Sequence, residues 1–286
     1  MSLSLAPLPF AVQRLIDLAL EEDLGPGDLT TQATVDPQLQ AEAHMRAKEE
    51  LIVAGLPVDA AVFRRLDPAV SFQGQVQEGA WVSAGTVLAT VTGPAGMILM
   101  GERVALNFVM RLSGIATHTR RFVVAVQPHP VQLVDTRKTT PGWRVLEKYA
   151  VRLGGGTNHR VGLFDGVLIK DNHLAAAGGI TAAVRQARQS VPHTLKIEVE
   201  VADLAGLEEA IGAGADTVLL DNMDDATLAQ AVKQAQGRVL LEASGGITLE
   251  RLSQVAATGV NLISVGALTH SARSVDISMK LVRTWM

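Results

Sequence analysis

Cysteine is absent from all 286 residues, which excludes disulfides, cysteine nucleophiles and thiolate metal sites. None of the seven histidines has the spacing of a zinc site. Apolar runs are cut by charge or glycine well short of membrane-spanning length, so no transmembrane helix is expected. The opening MSLSLAPLPFAV lacks a basic n-region and carries prolines, so no signal peptide is expected either. No lysine occurs between Lys48 and Lys138. That gap matters because VQEGAWVSAGTVLATVTGPA resembles the glycine-punctuated strands of biotinyl- or lipoyl-like barrels, whose carriers need a lysine at an exposed hairpin tip. Without one, this stretch reads as a structural β-module covering a site or a partner subunit. These absences leave a soluble, cytoplasmic protein as the expectation.

What is present is a globular composition, 48% hydrophobic and 19% charged, on a chain long enough for one large or two modest domains. The stretch from Asp135 to His173 organises the rest. It holds seven Lys/Arg against four acids, inside a protein whose formal charge is −4. A local positive field on an acidic protein suits a small anionic ligand rather than nucleic acid, which favours a broad basic surface.

Before this stretch, the spacing predicts a helix over Ala11–Glu22, with Val12, Leu15, Ile16 and Ala19 on one stripe. In EEDLGPGDLTT the glycines and proline force a turn, and Asp23 and Asp28 suit capping more than cation binding. Short alternating strands follow from about 41 to 92, around a helical patch at Pro57–Leu66. A long helix is predicted over Gly101–Val126. It carries Arg103 and Arg111 beside its apolar face, and Gly114 is expected to bend it.

After Gln127 the pattern becomes strand–helix repetition. Strands are predicted at Val131–Val134, Val167–Ile169, Leu195–Val199, Thr217–Leu220, Val239–Leu241 and Leu262–Val265. Helices are predicted at Trp143–Leu153, Thr181–Ser190, Leu204–Ala213, Asp225–Ala235 and Leu249–Thr258. Six such repeats suggest a closed or nearly closed parallel barrel with fewer than eight units; a doubly wound open sheet is the alternative. Val275–Trp285 reads as a terminal helix packing back on the first domain.

The residues just after each strand form a set: Asp135 to Lys138, Lys170, Glu200, Asp221 with Asn222, Ser244-Gly245-Gly246, and Gly266. ASGGI and VGAL resemble the phosphate cup on the last two loops of barrel enzymes, where bare backbone N–H groups meet phosphate oxygens. Glu200 and Asp221 suit Mg²⁺, ribose hydroxyls, or partnership with Lys138 and Lys170. His159, beside Arg160 in a glycine-rich loop, offers a donor to an anion, and His173 reads as either structural or functional. The set predicts a phosphorylated sugar at the glycine end and a polyanionic small molecule, most simply a carboxylate, at the Arg/Lys end.

DTRKTTPG, GGGTNHR, GVLIKDNH, EVEV, LLDN, ASGGI and VGAL, with EDLGPGDLTT near the start, resemble the quinolinate phosphoribosyltransferase family over nearly the whole chain. The resemblance implies a pentosyltransferase that moves phosphoribose from phosphoribosyl pyrophosphate to quinolinate. Decarboxylation then gives nicotinate mononucleotide, CO₂ and pyrophosphate in NAD biosynthesis. It implies an N-terminal α/β sandwich domain (1–113), an incomplete parallel α/β barrel of about six strands (114–270) and a C-terminal helix (271–286). It also implies a homodimer or higher homo-oligomer with shared sites, and Mg²⁺ as cofactor. By motif, Arg137, His159, Arg160 and Lys170 would hold the quinolinate carboxylates, with Arg103 reaching across from another subunit. Lys138 would meet pyrophosphate, and Glu200 and Asp221 would serve the ribose hydroxyls and Mg²⁺. Ser244, Gly245, Gly246 and Gly266 would cradle the 5′-phosphate. Relatives acting on other bases, and non-catalytic binders on the same barrel, are the competing expectations.

Overall fold

The structure, a computed structural model, describes Leu5 and residues 7–286. Residues 1–4 and 6, on which the signal-peptide expectation partly rests, lie outside the described residues. In chain order the elements begin with α1 (Phe10–Leu24), α2 (Leu29–Thr34), β1 (Gln40–Ala47), β2 (Leu51–Ile52), α3 (Leu56–Leu66), β3 (Ser71–Gly74), β4 (Trp81–Val82), β5 (Val87–Pro94) and α4 (Ala95–Ala125). They continue with β6 (Gln132–Val134), α5 (Arg144–Leu153), β7 (Val167–Ile169), α6 (Asp171–Ala177), α7 (Ile180–Ser190), β8 (Ile197–Val201), α8 (Leu204–Ala213) and β9 (Thr217–Asp221). The last are α9 (Asp225–Ala235), β10 (Leu240–Ser244), α10 (Leu249–Ala257), β11 (Leu262–Ser264), α11 (Ala267–His270) and β12 (Ile277–Trp285). Among the described residues no helix is long and apolar enough to cross a membrane.

The chain forms two compact units. The first comprises Met1–Arg120, Thr139–Gly155 and Thr269–Met286; the second comprises Arg121–Lys138 and Gly156–Leu268. In the first unit an antiparallel sheet runs in the order β12-β1-β5-β3, beside the two-stranded β2-β4 pair. Along β1 the side chains alternate, Ala41, Ala43, Met45 and Ala47 inward and polar residues between them. At the turn before α2, Asp28 accepts the Thr31 N–H at 3.0 Å and its hydroxyl, the capping role anticipated for it.

One expectation is corrected here. Val275–Trp285 is not a helix: Ile277–Trp285 is β12, antiparallel to β1 from Ala47↔Ile277 to Gln40↔Trp285. Its Ile277 and Met279 are buried while Ser278 and Lys280 between them are less so, a period of two. The segment is rich in β-branched residues, and a distant edge, that of β1, decides what local pattern leaves open. Gly114 serves close packing. A Cβ there would overlap the Arg273 carbonyl, so glycine admits the 273–274 backbone against α4.

The first unit also buries acid. Glu78 accepts the N–H groups of Gly55 and Leu56 and the Tyr149 hydroxyl at 2.6 Å. Asp59, fully buried in the first turn of α3, has neither carboxylate oxygen hydrogen-bonded. Burial, reinforced by the charge of Glu78, pushes its carboxyl well above the usual carboxylate range. A raised folded-state pKa stabilises below the unfolded value and loses that stabilisation as pH rises toward the folded value. Asp59→Asn should therefore gain on the wild type with rising pH, by up to about 1.4 kcal/mol per pH unit. Denaturant midpoints measured across pH will show this; parallel curves for the two proteins would refute it.

The second unit is a six-stranded parallel sheet in the order β6-β11-β10-β9-β8-β7. Each strand from β7 to β11 lies beside the next in sequence, and the last pairs with the first. That is the winding of a barrel and not of a doubly wound sheet, whose order reverses at its centre. β6 and β7 are not paired, so the barrel is incomplete between them. Thr157 partly fills that edge, bridging Val134 and exchanging backbone bonds with Leu133 and Asp135. The predicted strands all formed within two or three residues of their expected ends.

Candidate active site

The predicted site residues of the second unit gather at the C-terminal ends of its strands and on the loop at its open edge. Just beyond β6, Asp135 is fully buried and accepts from Asn158 Nδ2 at 2.7 Å and from the His159 N–H at 2.8 Å. It thus fastens the GGGTNHR loop beside the strand end that carries Arg137 and Lys138. Asp165 accepts the N–H groups of Val161 and Gly162 and closes the loop's far side. Arg160 donates to the Gly166 carbonyl at 2.8 Å. Its pKa is lowered first by burial and then by the like charge of Arg137, with Glu198 and Asp165 opposing. The like charge of Arg137 beside Arg160 makes a local positive field suited to an anion.

At the end of β7, Lys170 Nζ lies 2.5 Å from Glu200 Oε2. This realises the expected pairing of a strand-end cation with a strand-end acid. His173 Nδ1 accepts the Lys170 N–H at 3.0 Å and so caps α6. Glu200 on β8 and Asp221 on β9 point to the same side of neighbouring parallel strands, because Glu200 is opposite Leu219, two residues before Asp221. Both are hard oxygen donors of the kind Mg²⁺ takes.

Asp221 accepts from Asn222 Nδ2 at 2.8 Å, and the Asn222 N–H donates to the Ser244 carbonyl at 2.9 Å. Asn222 has φ 54°, Gly245 φ 95° and Gly246 φ 58°. A Cβ on Gly245 would overlap the Asn222 side chain, whereas one on Gly246 would meet nothing within 4 Å. Glycine at 245 thus serves close packing, and the open side of the loop is at Gly246. Gly266 lies between β11 and α11.

Not every predicted residue is in this unit. Arg103 is exposed on α4 in the first unit. Arg144, Lys148 and Arg152, three of the cations in the basic stretch, belong to α5, also in the first unit. There Arg144 donates to Thr139 Oγ1 at 2.9 Å and Lys148 is buried.

His159 sits differently from expectation. Its Nδ1 accepts the Arg160 N–H at 2.7 Å, and its Nε2 lies 3.0 Å from Glu198 Oε2 and 3.7 Å from Glu242 Oε2. Sequence reasoning missed both glutamates. Period two was the available signal, since Glu198 precedes Glu200 by two residues and Glu242 precedes Ser244 by two. Glu242 is pushed up to about 7, chiefly by burial and then by the charge of Glu198. One nitrogen and two carboxylate oxygens of this group lie within 4.8 Å of one another, close enough for a metal ion. The Arg160 N–H argues otherwise: it requires a lone pair on Nδ1, which puts the neutral ring's proton on Nε2. Nε2–H then donates to Glu198, and the cluster is a proton network.

With this geometry in view, comparison with known proteins is specific. Residues 28–113 match the quinolinate phosphoribosyl transferase N-terminal domain, and residues 115–280 match the C-terminal domain of the same family. The chain is 51% identical over 267 residues to the probable nicotinate-nucleotide pyrophosphorylase [carboxylating] of Synechocystis, covering 92% of this chain and 90% of that one. It is 48% identical to the protein of the same name from Bacillus subtilis, over 94% and 92% of the two chains. Among solved structures, NadC from Streptococcus pyogenes superimposes with a TM-score of 0.93 at 41% identity, covering 99% of each chain. The nicotinate-nucleotide pyrophosphorylase of Francisella tularensis gives 0.91 at 40% identity, over 95% and 96%. This chain belongs to the quinolinate phosphoribosyltransferase family.

Proposed function

We propose that the protein transfers phosphoribose from phosphoribosyl pyrophosphate to the ring nitrogen of quinolinate and decarboxylates the product. Nicotinate mononucleotide, CO₂ and pyrophosphate result, a step of de novo NAD synthesis. The observation that carries this reading is one rim with the guanidiniums of Arg137 and Arg160 at one edge and an open glycine loop at the other. Cleavage of the C1′–oxygen bond sends its electron pair to pyrophosphate, and the ring nitrogen's lone pair forms the new bond to C1′. Glu200, near the oxocarbenium-like carbon, would stabilise its charge, and Lys138 would offset the charge leaving. The alkylated nitrogen is then cationic. When CO₂ departs, the electron pair of the broken C–C bond stays on the adjacent ring carbon, where the positive nitrogen stabilises it, and that carbon takes a proton. No side-chain nucleophile is required; the protein positions and neutralises.

In this reading Arg137, Arg160 and Lys170 hold the quinolinate carboxylates. His159 has both ring nitrogens engaged, so a contact from it to a carboxylate requires one of those bonds to be exchanged. Glu200 keeps Oε1 for a ribose hydroxyl or an aquated ion, since Lys170 takes Oε2. Glu200 and Asp221 would together serve Mg²⁺, which when bound supplies charge neutralisation at the pyrophosphate. Ser244, Gly245, Gly246 and Gly266 would receive the 5′-phosphate. Arg103, exposed on α4, would complete the site of a second subunit in a homodimer or larger homo-oligomer.

Arg137→Ala should weaken quinolinate binding by about 1.5–3 kcal/mol for each charged hydrogen bond lost. KM for phosphoribosyl pyrophosphate should stay near the wild-type value. An unchanged KM for quinolinate would remove Arg137 from the site. For the shared site, mixing inactive Arg103→Ala and Lys138→Ala proteins should restore activity through hybrid assemblies. No recovery after verified subunit exchange would refute the contribution in trans. Use of nicotinate in preference to quinolinate, without CO₂, would favour a relative acting on another base.

A further inference from the structure

We infer that Glu198 and Glu242 are positioning residues of the quinolinate site: Glu198 holds His159 and balances Arg160, while a proton on Glu242 keeps the two acids at a single negative charge. The inference rests on the reading above that Arg137 and Arg160 receive the dicarboxylate.

Three observations support it. Both carboxyl groups are buried, each with one oxygen, Oε1, lacking a hydrogen-bond partner. Two ionised carboxylates in such a place are costly, and a proton on one relieves the repulsion. Beside Glu242 lie the side chains of Ser264, Glu198 and His159, and its raised proton affinity agrees with that arrangement. Finally, the pair is one pleat below the working rim, since Glu198 and Glu242 share strand faces with Glu200 and Ser244.

A cavity of about 480 Å³ takes in Glu198 and Glu242 and extends to Gln132, Thr157, Lys196 and Thr217. The groups that face Glu242 are Glu198 from β8, His159 from the loop and Ser264 from β11. Arg160, Asp165 and Lys196 line the same cavity, and Asp135 holds the His159 backbone from behind.

The consequence is a linkage. Ionising Glu242 adds negative charge under the guanidiniums and opposes a bound dianion, so binding the dianion should draw a proton onto Glu242. The pyridine dicarboxylate's KM should rise with pH above about 7, by at most about tenfold per pH unit for one linked proton.

The test uses the full-length wild type with Glu242→Gln and Glu198→Gln. KM for quinolinate, KM for phosphoribosyl pyrophosphate and kcat are followed with pH. Glu242→Gln should keep the wild type's low-pH KM for quinolinate and lose its rise. Glu198→Gln should raise KM for quinolinate at every pH, leaving kcat and the other KM within about twofold. If Glu242→Gln follows the wild-type pH curve, or Glu198→Gln alters all three parameters alike, the inference is overturned. If the variants do not fold, calorimetry on the wild type decides. Quinolinate binding near pH 7.5, measured in buffers of different ionisation enthalpy, should show proton uptake; none overturns the inference. Arg137→Ala separates the two levels. An unchanged KM for quinolinate there refutes the site itself, whereas a raised one with no effect at Glu198 and Glu242 refutes only their positioning role.

Discussion

Glu200→Ala is expected to lower kcat by about 10²–10³-fold, the usual cost of removing one charge aimed at the transition state. The loss should not reflect unfolding. Lys170, the partner of Glu200, has a side chain 46% exposed, so their pair contributes at most about 1 kcal/mol to stability. Glu200→Gln separates the carboxylate's charge from its shape. If Glu200 meets the developing positive carbon, the amide should be nearly as slow as alanine. A kcat for Glu200→Ala within about threefold of the wild type would place the charge stabilisation elsewhere on the rim.

The second large effect is on stability. Glu147, with no exposed surface, accepts from Arg111 Nη2 at 3.0 Å, the Thr140 N–H at 3.2 Å and the Thr140 hydroxyl at 2.8 Å. Arg111 also donates to the carbonyls of Thr269 and Ala272. Four segments of the first unit therefore meet at one buried acid: α4, the 139–143 turn, α5 and the chain leading to β12. Glu147→Ala leaves the half-buried guanidinium without its carboxylate and the Thr140 groups without an acceptor, a cost of about 3–5 kcal/mol. The loss should appear as a thermal midpoint roughly 5–15 °C lower. Arg111→Met, which removes the charge but keeps the volume, should cost less, because Glu147 keeps its two Thr140 donors. A loss under about 1 kcal/mol for Glu147→Ala would show that Arg111's other bonds suffice.

The barrel was legible because buried parallel strands are short apolar runs punctuated by turn residues, a pattern that needs no knowledge of partners. The strand-end residues followed from it, and the Lys170–Glu200 pairing formed where that logic put it. Three things were not legible, each for a different reason. β12 needed the edge of β1, far away in sequence, to choose between two periods. The charge count over Asp135–His173 merged α5, whose Arg144, Lys148 and Arg152 serve the first unit, with strand ends of the second; no local pattern marks where a chain leaves one unit for another. Glu198 and Glu242 were overlooked because EVEV and LEAS read as strand with one acid at the end. That the deeper acids face the same interior becomes evident only when His159 is brought between them.

The most direct measurement is the fate of the ring carboxylate. With quinolinate labelled at the 2-carboxyl, the account predicts labelled CO₂ equal in amount to the nicotinate mononucleotide and pyrophosphate formed, and none without phosphoribosyl pyrophosphate. Folded protein that releases no label, or forms a mononucleotide with its label retained, would contradict it.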